Sequence, residues 1–262
     1  MGRLAWLLTC LLIAPAGCVR AMEGYTSSPA APADGARGGE PHAQVDGRRD
    51  LTGVVQGCPV GALLCDGFED PLPGVWIIEG DGTIARVDSS QGKVHSGSYA
   101  RQLSIGAGAA ERAEAQSFDI SPHVTSGLLS FRAYLYVVPP IASATLSLVE
   151  LNCGNVGAKT VKTSIDVAGG IVKLLNGAGA HTTSTTSMPS GRWVCAELRV
   201  DLSSSPHTIT ALIDGSEVAK VAEPSACTSF ATAKLQVWTE TQPAVTVYFD
   251  DVIVAKGPIG CN

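Results

Sequence analysis

The sequence predicts an all-β fold, an antiparallel sandwich of two sheets. Three observations lead there. From Cys58 onward, short runs of Val, Ile, Leu, Thr, Phe and Tyr recur between clusters of Gly, Pro, Asp and Ser. Several runs alternate polar and apolar residues with period two, as a strand does when its faces meet different surroundings. No segment sustains a helical period, in a chain of 262 residues with 29 Gly and 15 Pro, both poor in helix interiors. A coiled coil or helical bundle is excluded.

In chain order, strands are expected at 63–68, 75–78, 83–87, 99–105, 112–120 and 127–138. Within the fifth, Arg112, Glu114 and Gln116 alternate with Ala113, Ala115 and Ser117. The sixth sets Leu129, Phe131, Ala133, Leu135 and Val137 against Arg132, Tyr134 and Tyr136. Further strands are expected at 144–152, 161–167, 171–175, 193–202, 208–213, 217–221, 234–240 and 245–255. Glu150 falls opposite Val149 and Leu151. Trp193, Glu197 and Arg199 oppose Val194, Ala196, Leu198 and Val200, and Gln236 and Trp238 oppose Leu235 and Val237. Ile213-Asp214-Gly215-Ser216 reads as a hairpin turn, because Asp-Gly accepts positive φ.

The segments before Cys58 differ. Residues 1–17 have a basic Arg3 and an apolar run too short to span a bilayer, and read as an export signal. Ala14-Pro15-Ala16 fits ordinary signal peptidase. Ala16-Gly17-Cys18 resembles a bacterial lipobox, with Pro15 departing from its usual aliphatic residue. That resemblance implies lipidation of Cys18 and, with Val19 following, anchoring to the outer membrane at the cell surface; plain secretion is the alternative. Residues 18–56 are rich in Ala, Gly, Pro and Ser and lack the apolar area to offset ordering, which makes them a flexible tether. The sandwich then occupies 57–262. The net charge of -6 excludes a nucleic-acid partner, since no basic excess displaces phosphate counterions.

Downstream of Cys18 remain Cys58, Cys65, Cys153, Cys195, Cys227 and Cys261. An even count in an oxidising compartment reads as disulfides. Zinc is disfavoured, since there is no C-x-x-C pair and the histidines are scattered. Spacing alone does not choose the pairing.

Five stretches carry a family resemblance. They are Leu64-Cys65-Asp66-Gly67-Phe68-Glu69-Asp70, Val94-His95-Ser96-Gly97-Ser98-Tyr99-Ala100, Gly191-Arg192-Trp193-Val194-Cys195-Ala196-Glu197, Ile213-Asp214-Gly215, and Tyr248-Phe249-Asp250-Asp251-Val252-Ile253-Val254. Their order resembles the concanavalin A-like lectin/glucanase superfamily, in its LamG-like jelly-roll branch, across about 58–262. The resemblance implies a jelly roll with neighbouring first and last strands, and hence a Cys65–Cys261 bridge. It does not imply one activity, because the superfamily spans lectins, hydrolases, lyases and adhesion modules.

If the polar strand faces share one concave sheet, Arg112, Glu114, Arg132, Tyr134, Tyr136, Glu197, Arg199, Gln236 and Trp238 line a carbohydrate groove. Rings stack on pyranoses, while Arg, Glu and Gln bond hydroxyls or carboxylates. The alternative is a solvated outer face with cross-strand charge pairs. No catalytic residue is assigned. The superfamily's hydrolases use an E-x-D-x-E strand, absent here. Arg112-Ala113-Glu114 is similar to the R-x-E strand of polysaccharide lyases, but no Q-I-H motif accompanies it, and no G-x-S-x-G elbow occurs. His95, His123, His181 and His207 stand apart and read as solvated or capping side chains. Glu69 and Asp70, with Asp250 and Asp251 on the last strand, are candidate ligands for structural calcium. Turn hydrogen bonds are the other reading.

The expected function is therefore an exported, lipid-anchored carbohydrate-binding or adhesion module without catalysis. The alternative is a lyase-like enzyme acting on an acidic glycan. Cys18→Ser is expected to move the protein from the membrane fraction to the soluble one. Fractionation with N-terminal sequencing checks this, and a wild-type chain that is soluble and begins at Gly17 contradicts it.

Overall fold

A computed structural model describes residues 58–70, 76–80, 82–107, 112–117, 120, 124–141, 145–156, 159–223, 229–238 and 244–261. These belong to one compact unit, 49–262. The export segment, Cys18, the tether, His123 and Cys227 lie outside the described residues.

The strands are β1 (Leu64–Asp66), β2 (Trp76–Gly80), β3 (Thr83–Asp88), β4 (Tyr99–Ile105), β5 (Arg112–Ser117), β6 (Leu128–Val137), β7 (Thr145–Val156) and β8 (Lys159–Ala168). After them come β9 (Ile171–Leu175), β10 (His181–Ser187), β11 (Trp193–Asp201), β12 (His207–Ile213), β13 (Ser216–Glu223), β14 (Thr232–Trp238) and β15 (Val245–Lys256). An eight-stranded sheet runs β13-β12-β11-β6-β15-β4-β3, with β1 also on β15. A seven-stranded sheet runs β10-β9-β8-β7-β14-β5-β2. Every pairing is antiparallel, and β14 packs on β15 and β4 between the layers.

Alternation decides the inner faces. Leu129, Phe131, Leu135, Leu198, Leu103 and Phe249 of one sheet are buried in one core with Leu148, Leu151, Ile165, Leu174 and Leu235 of the other. Each such side chain contributes about 1.5–3 kcal/mol. Asp214 and Gly215 both have positive φ in the β12–β13 turn, as the Asp-Gly pair predicts. The strand β10 was not expected from sequence. Its residues His-Thr-Thr-Ser-Thr-Thr-Ser contain no aliphatic side chain, and at the sheet edge they alternate only between exposed and half-buried.

The disulfides correct one expectation. The first and last strands do pair, Cys65 opposite Ile253, but Cys65 bonds Cys58 and Cys261 bonds Cys195. The reason is the path after Lys256. Residues 257–261 turn across β6 and β11, so that Arg132 Nη1 donates to Gly260 O at 3.1 Å and the amides of Ile259 and Gly260 reach Glu197. This carries Cys261 to β11 and leaves Cys65 beside Cys58, in a small apolar cluster with Ile253, Ala255 and Ile259. Cys153 is also disulfide-bonded.

Non-reducing peptide mapping is expected to find Cys58–Cys65 and Cys195–Cys261. Replacing Cys195 and Cys261 with Ala should lower stability in denaturant unfolding by about 4 kcal/mol, and removing the short-loop Cys58–Cys65 bridge by about 2 kcal/mol. Equal losses would contradict the loop-closure account.

Candidate functional site

The outer face of the seven-stranded sheet carries a connected polar network. Gln236 on β14 donates its amide to Glu150 Oε2 at 2.7 Å and to Ser147 Oγ at 2.8 Å, both on β7. Lys162 on β8 reaches the same Glu150 oxygen at 2.8 Å. Its ammonium lies 5.9 Å from the centre of the half-buried Trp238 ring. Farther along, Ser164 donates to Asp166 Oδ1 at 2.7 Å, and His181 Nε2 sits 3.0 Å from Asp166 Oδ2. Ser147, Glu150, Ser164, Asp166 and Gln236 are all buried. Charges so placed are tolerable because each is paired and hydrogen-bonded. In the register of β5 with β14, Arg112 stands opposite Trp238 and Glu114 opposite Gln236. Their backbone is described; their side chains are not. Ser147, Lys162, Asp166 and His181 were missed in the sequence, although alternation within 161–167 places Lys162, Ser164 and Asp166 on one face.

The nine groove candidates do not share this sheet. Arg132, Tyr134, Tyr136, Glu197 and Arg199 belong to β6 and β11 of the eight-stranded sheet, and Arg112, Glu114, Gln236 and Trp238 to the other. Nor is the first group an open wet face. Arg132 and Glu197, opposite one another in register, are 1% and 0% exposed, because the 257–261 segment lies over them. Glu197 accepts two bonds from Arg199, at 2.8 and 3.0 Å, and the amides of Ile259 and Gly260 at 3.1 Å each. Burial raises its pKa, but the Arg199 bonds and those amides outweigh this and hold it below the usual carboxylate value. Burial lowers the Arg132 pKa. Tyr134 lies beneath the His95 ring, 3.7 Å between centres and 16° from parallel.

His95 is thus not a solvated side chain. Its Nδ1 is 2.7 Å from Asp251 Oδ2, and its ring meets Trp193 edge-on. The loop it belongs to is held by three acids. Asp250 Oδ2 accepts the amides of His95 and Ser96 at 2.8 and 3.1 Å. Asp251 Oδ1 accepts Ser96 Oγ at 2.7 Å. Glu69 Oε1 accepts the amides of Ser98 and Tyr99. Gly97 between them has φ +67°, and a Cβ there would collide with the Glu69 carboxylate. Among the described residues, no three His, Cys, Asp or Glu side chains are arranged to hold a metal. Glu69 Oε1 and the oxygens of Asp250 and Asp251 serve the loop as hydrogen-bond acceptors. Asp250 is fully buried. Burial first, then the neighbouring Asp251, push its pKa up to about 7, against the amides of Ser96, Asp251 and His95.

Comparison with known proteins adds the fold class. No family model matches the chain, and no curated protein matches it. Solved structures do. The chain is similar to the cellulose-induced protein Cip1, with 16% identity, a TM-score of 0.60, and coverage of 76% of this chain and 100% of that one. It is similar to the protein HCR/D-Sa-GBL1/C at 9% identity and TM-score 0.52, covering 75% of this chain and 48% of that one. An alginate lyase from Corynebacterium sp. aligns at 14% identity over 60% of this chain and 76% of its own, with a TM-score of 0.45. The fold is an antiparallel two-sheet jelly-roll sandwich. At such identities the likeness extends to the fold alone.

The Asp250 shift has a pH signature. The folded chain holds this proton to higher pH than the unfolded chain does. The stability it supplies is therefore present below the ordinary carboxylate pKa and is lost as pH rises from there toward about 7. Denaturant unfolding of wild type and Asp250→Asn across that window should show a smaller loss in the variant. An identical slope would contradict the assignment.

Proposed function

We propose that the domain is a non-catalytic carbohydrate-binding module of an exported, lipid-anchored protein, with its ligand along the outer face of the seven-stranded sheet around Trp238. The observation that carries this reading is the Gln236–Glu150–Lys162 network beside that ring. A pyranose offers an apolar face for an indole and a rim of hydroxyls for amide, carboxylate and ammonium groups. Here those groups are already fixed by one another, so binding costs little further ordering.

The lyase alternative draws on Arg112 and Glu114, at register positions beside Trp238 and Gln236, and on His181 held by Asp166. Among the described residues, no tyrosine joins them on that sheet. Tyr99, Tyr134, Tyr136 and Tyr248, every tyrosine among the described residues, lie on β4, β6 and β15 of the other sheet. Among the described residues, no tyrosine on the network face partners His181.

A glycan array followed by calorimetry tests the proposal. Trp238→Ala should weaken binding of the best glycan at least about tenfold, near 1.4 kcal/mol, with little change in melting temperature since the ring is half-exposed. Ultraviolet absorbance for unsaturated uronates should stay flat. Unchanged affinity in Trp238→Ala would overturn the site, and rising absorbance would overturn the non-catalytic reading.

A further inference from the structure

We propose that Arg101 and Arg86 form a second site, one that binds a small oxyanion (a carboxylate or sulfate-type group) at the end of the sandwich where β1, β2, β3 and β4 meet. This inference is independent of the glycan reading. The two arginines stand directly opposite one another in the β3–β4 register. Arg86 is anchored by backbone and ring: Nε donates to Phe68 O at 2.8 Å, Nη2 to Glu69 O at 2.6 Å, and Cζ lies 3.1 Å from the Tyr99 ring centre. Arg101 has nothing comparable. It is only 9% exposed, and its Nε is buried with no hydrogen-bond partner. Its guanidinium rests 5.1 Å from the Phe68 ring centre. Among the described residues no carboxylate forms an ion pair with it.

The acid whose charge reaches Arg101 is Asp66, and both its oxygens are committed. Oδ1 accepts the Phe68 amide at 2.7 Å and Oδ2 accepts Trp76 Nε1 at 2.6 Å. Asp66 thus spends its short bonds on Phe68 and Trp76, and none reaches Arg101. Burial destabilises the Arg101 cation, Asp66 opposes that effect, and Arg86 adds to it. A buried guanidinium without acceptors is costly. What would satisfy it is a compact anion with two or more oxygens, matching the planar fork of donors. The buried Phe68 and Trp76 rings exclude water and strengthen such a contact. Arg86 and Tyr99 beside it are half-buried.

Thermal melts of the full chain, at constant ionic strength with chloride as reference, test this with sodium sulfate, sodium acetate and galacturonate. The expected result is a saturable rise of about 2–4 °C with at least one of them. Sulfate alone indicates a free inorganic anion, while acetate and galacturonate together indicate a carboxylate borne by a saccharide. Arg101→Met should melt higher than wild type in the chloride reference, because an unpaired buried charge is gone, and should lose the response. Arg101→Lys should fold and respond at least about tenfold more weakly. No saturable response beyond chloride in the wild type, or an undiminished response in Arg101→Lys, would overturn the site.

Discussion

The bulge in β15 sets the layout of the eight-stranded sheet. Asp251 adopts φ 45°, and the register with β6 shifts between Asp250 and Ile253. One inserted residue resets the alternation, so Val247 and Phe249 point into the core on one side of it and Val252 and Val254 on the other. It also delivers two consecutive carboxylates to the outer face. There they hold the 94–98 loop, which brings His95 over Tyr134. A regular strand continuing from Phe249 would have placed Asp251 in the core and Val252 on the outer face. Beyond the bulge the same strand leads into the 257–261 segment that covers Arg132 and Glu197. The loop thus covers Tyr134, and the chain end covers Arg132 and Glu197.

The two outer faces therefore have different physical characters. On the eight-stranded sheet, several polar side chains also bond the backbone of distant segments: Glu197 that of Ile259 and Gly260, Arg132 that of Gly260, Asp250 that of His95 and Ser96. Their work is to fasten loops. On the seven-stranded sheet, Gln236, Glu150 and Lys162 bond side chain to side chain, across strands and beside an aromatic ring. Such a network is held in place by its own members.

Much of the fold was legible because strand alternation is a local property. The run expected at 245–255 is β15 almost residue for residue, and the Asp214-Gly215 turn follows from two residues. Alternation tells which residues share a face of one strand, but not which sheet the strand joins. Tyr134 and Trp238 looked equivalent in sequence for that reason, yet they lie on opposite sheets. Burial of Arg132 depends on a chain segment more than a hundred residues away, and the Cys195–Cys261 pairing depends on that same path. Neither leaves a local signal. His95 could not be found as a partner of Asp251 because only the bulge brings them together. Arg101 and Arg86 each read as ordinary strand residues, and their opposition appears only with the β3–β4 register.

Hydrogen exchange read by mass spectrometry, with and without the best-binding oligosaccharide, tests the division between the two faces most directly. The account predicts ligand-induced protection concentrated in β7, β8 and β14, with β6, β11 and the 257–261 segment unchanged. Protection centred on β6, β11 and the loop carrying His95 would contradict it, placing the ligand on the sheet assigned here to structural fastening.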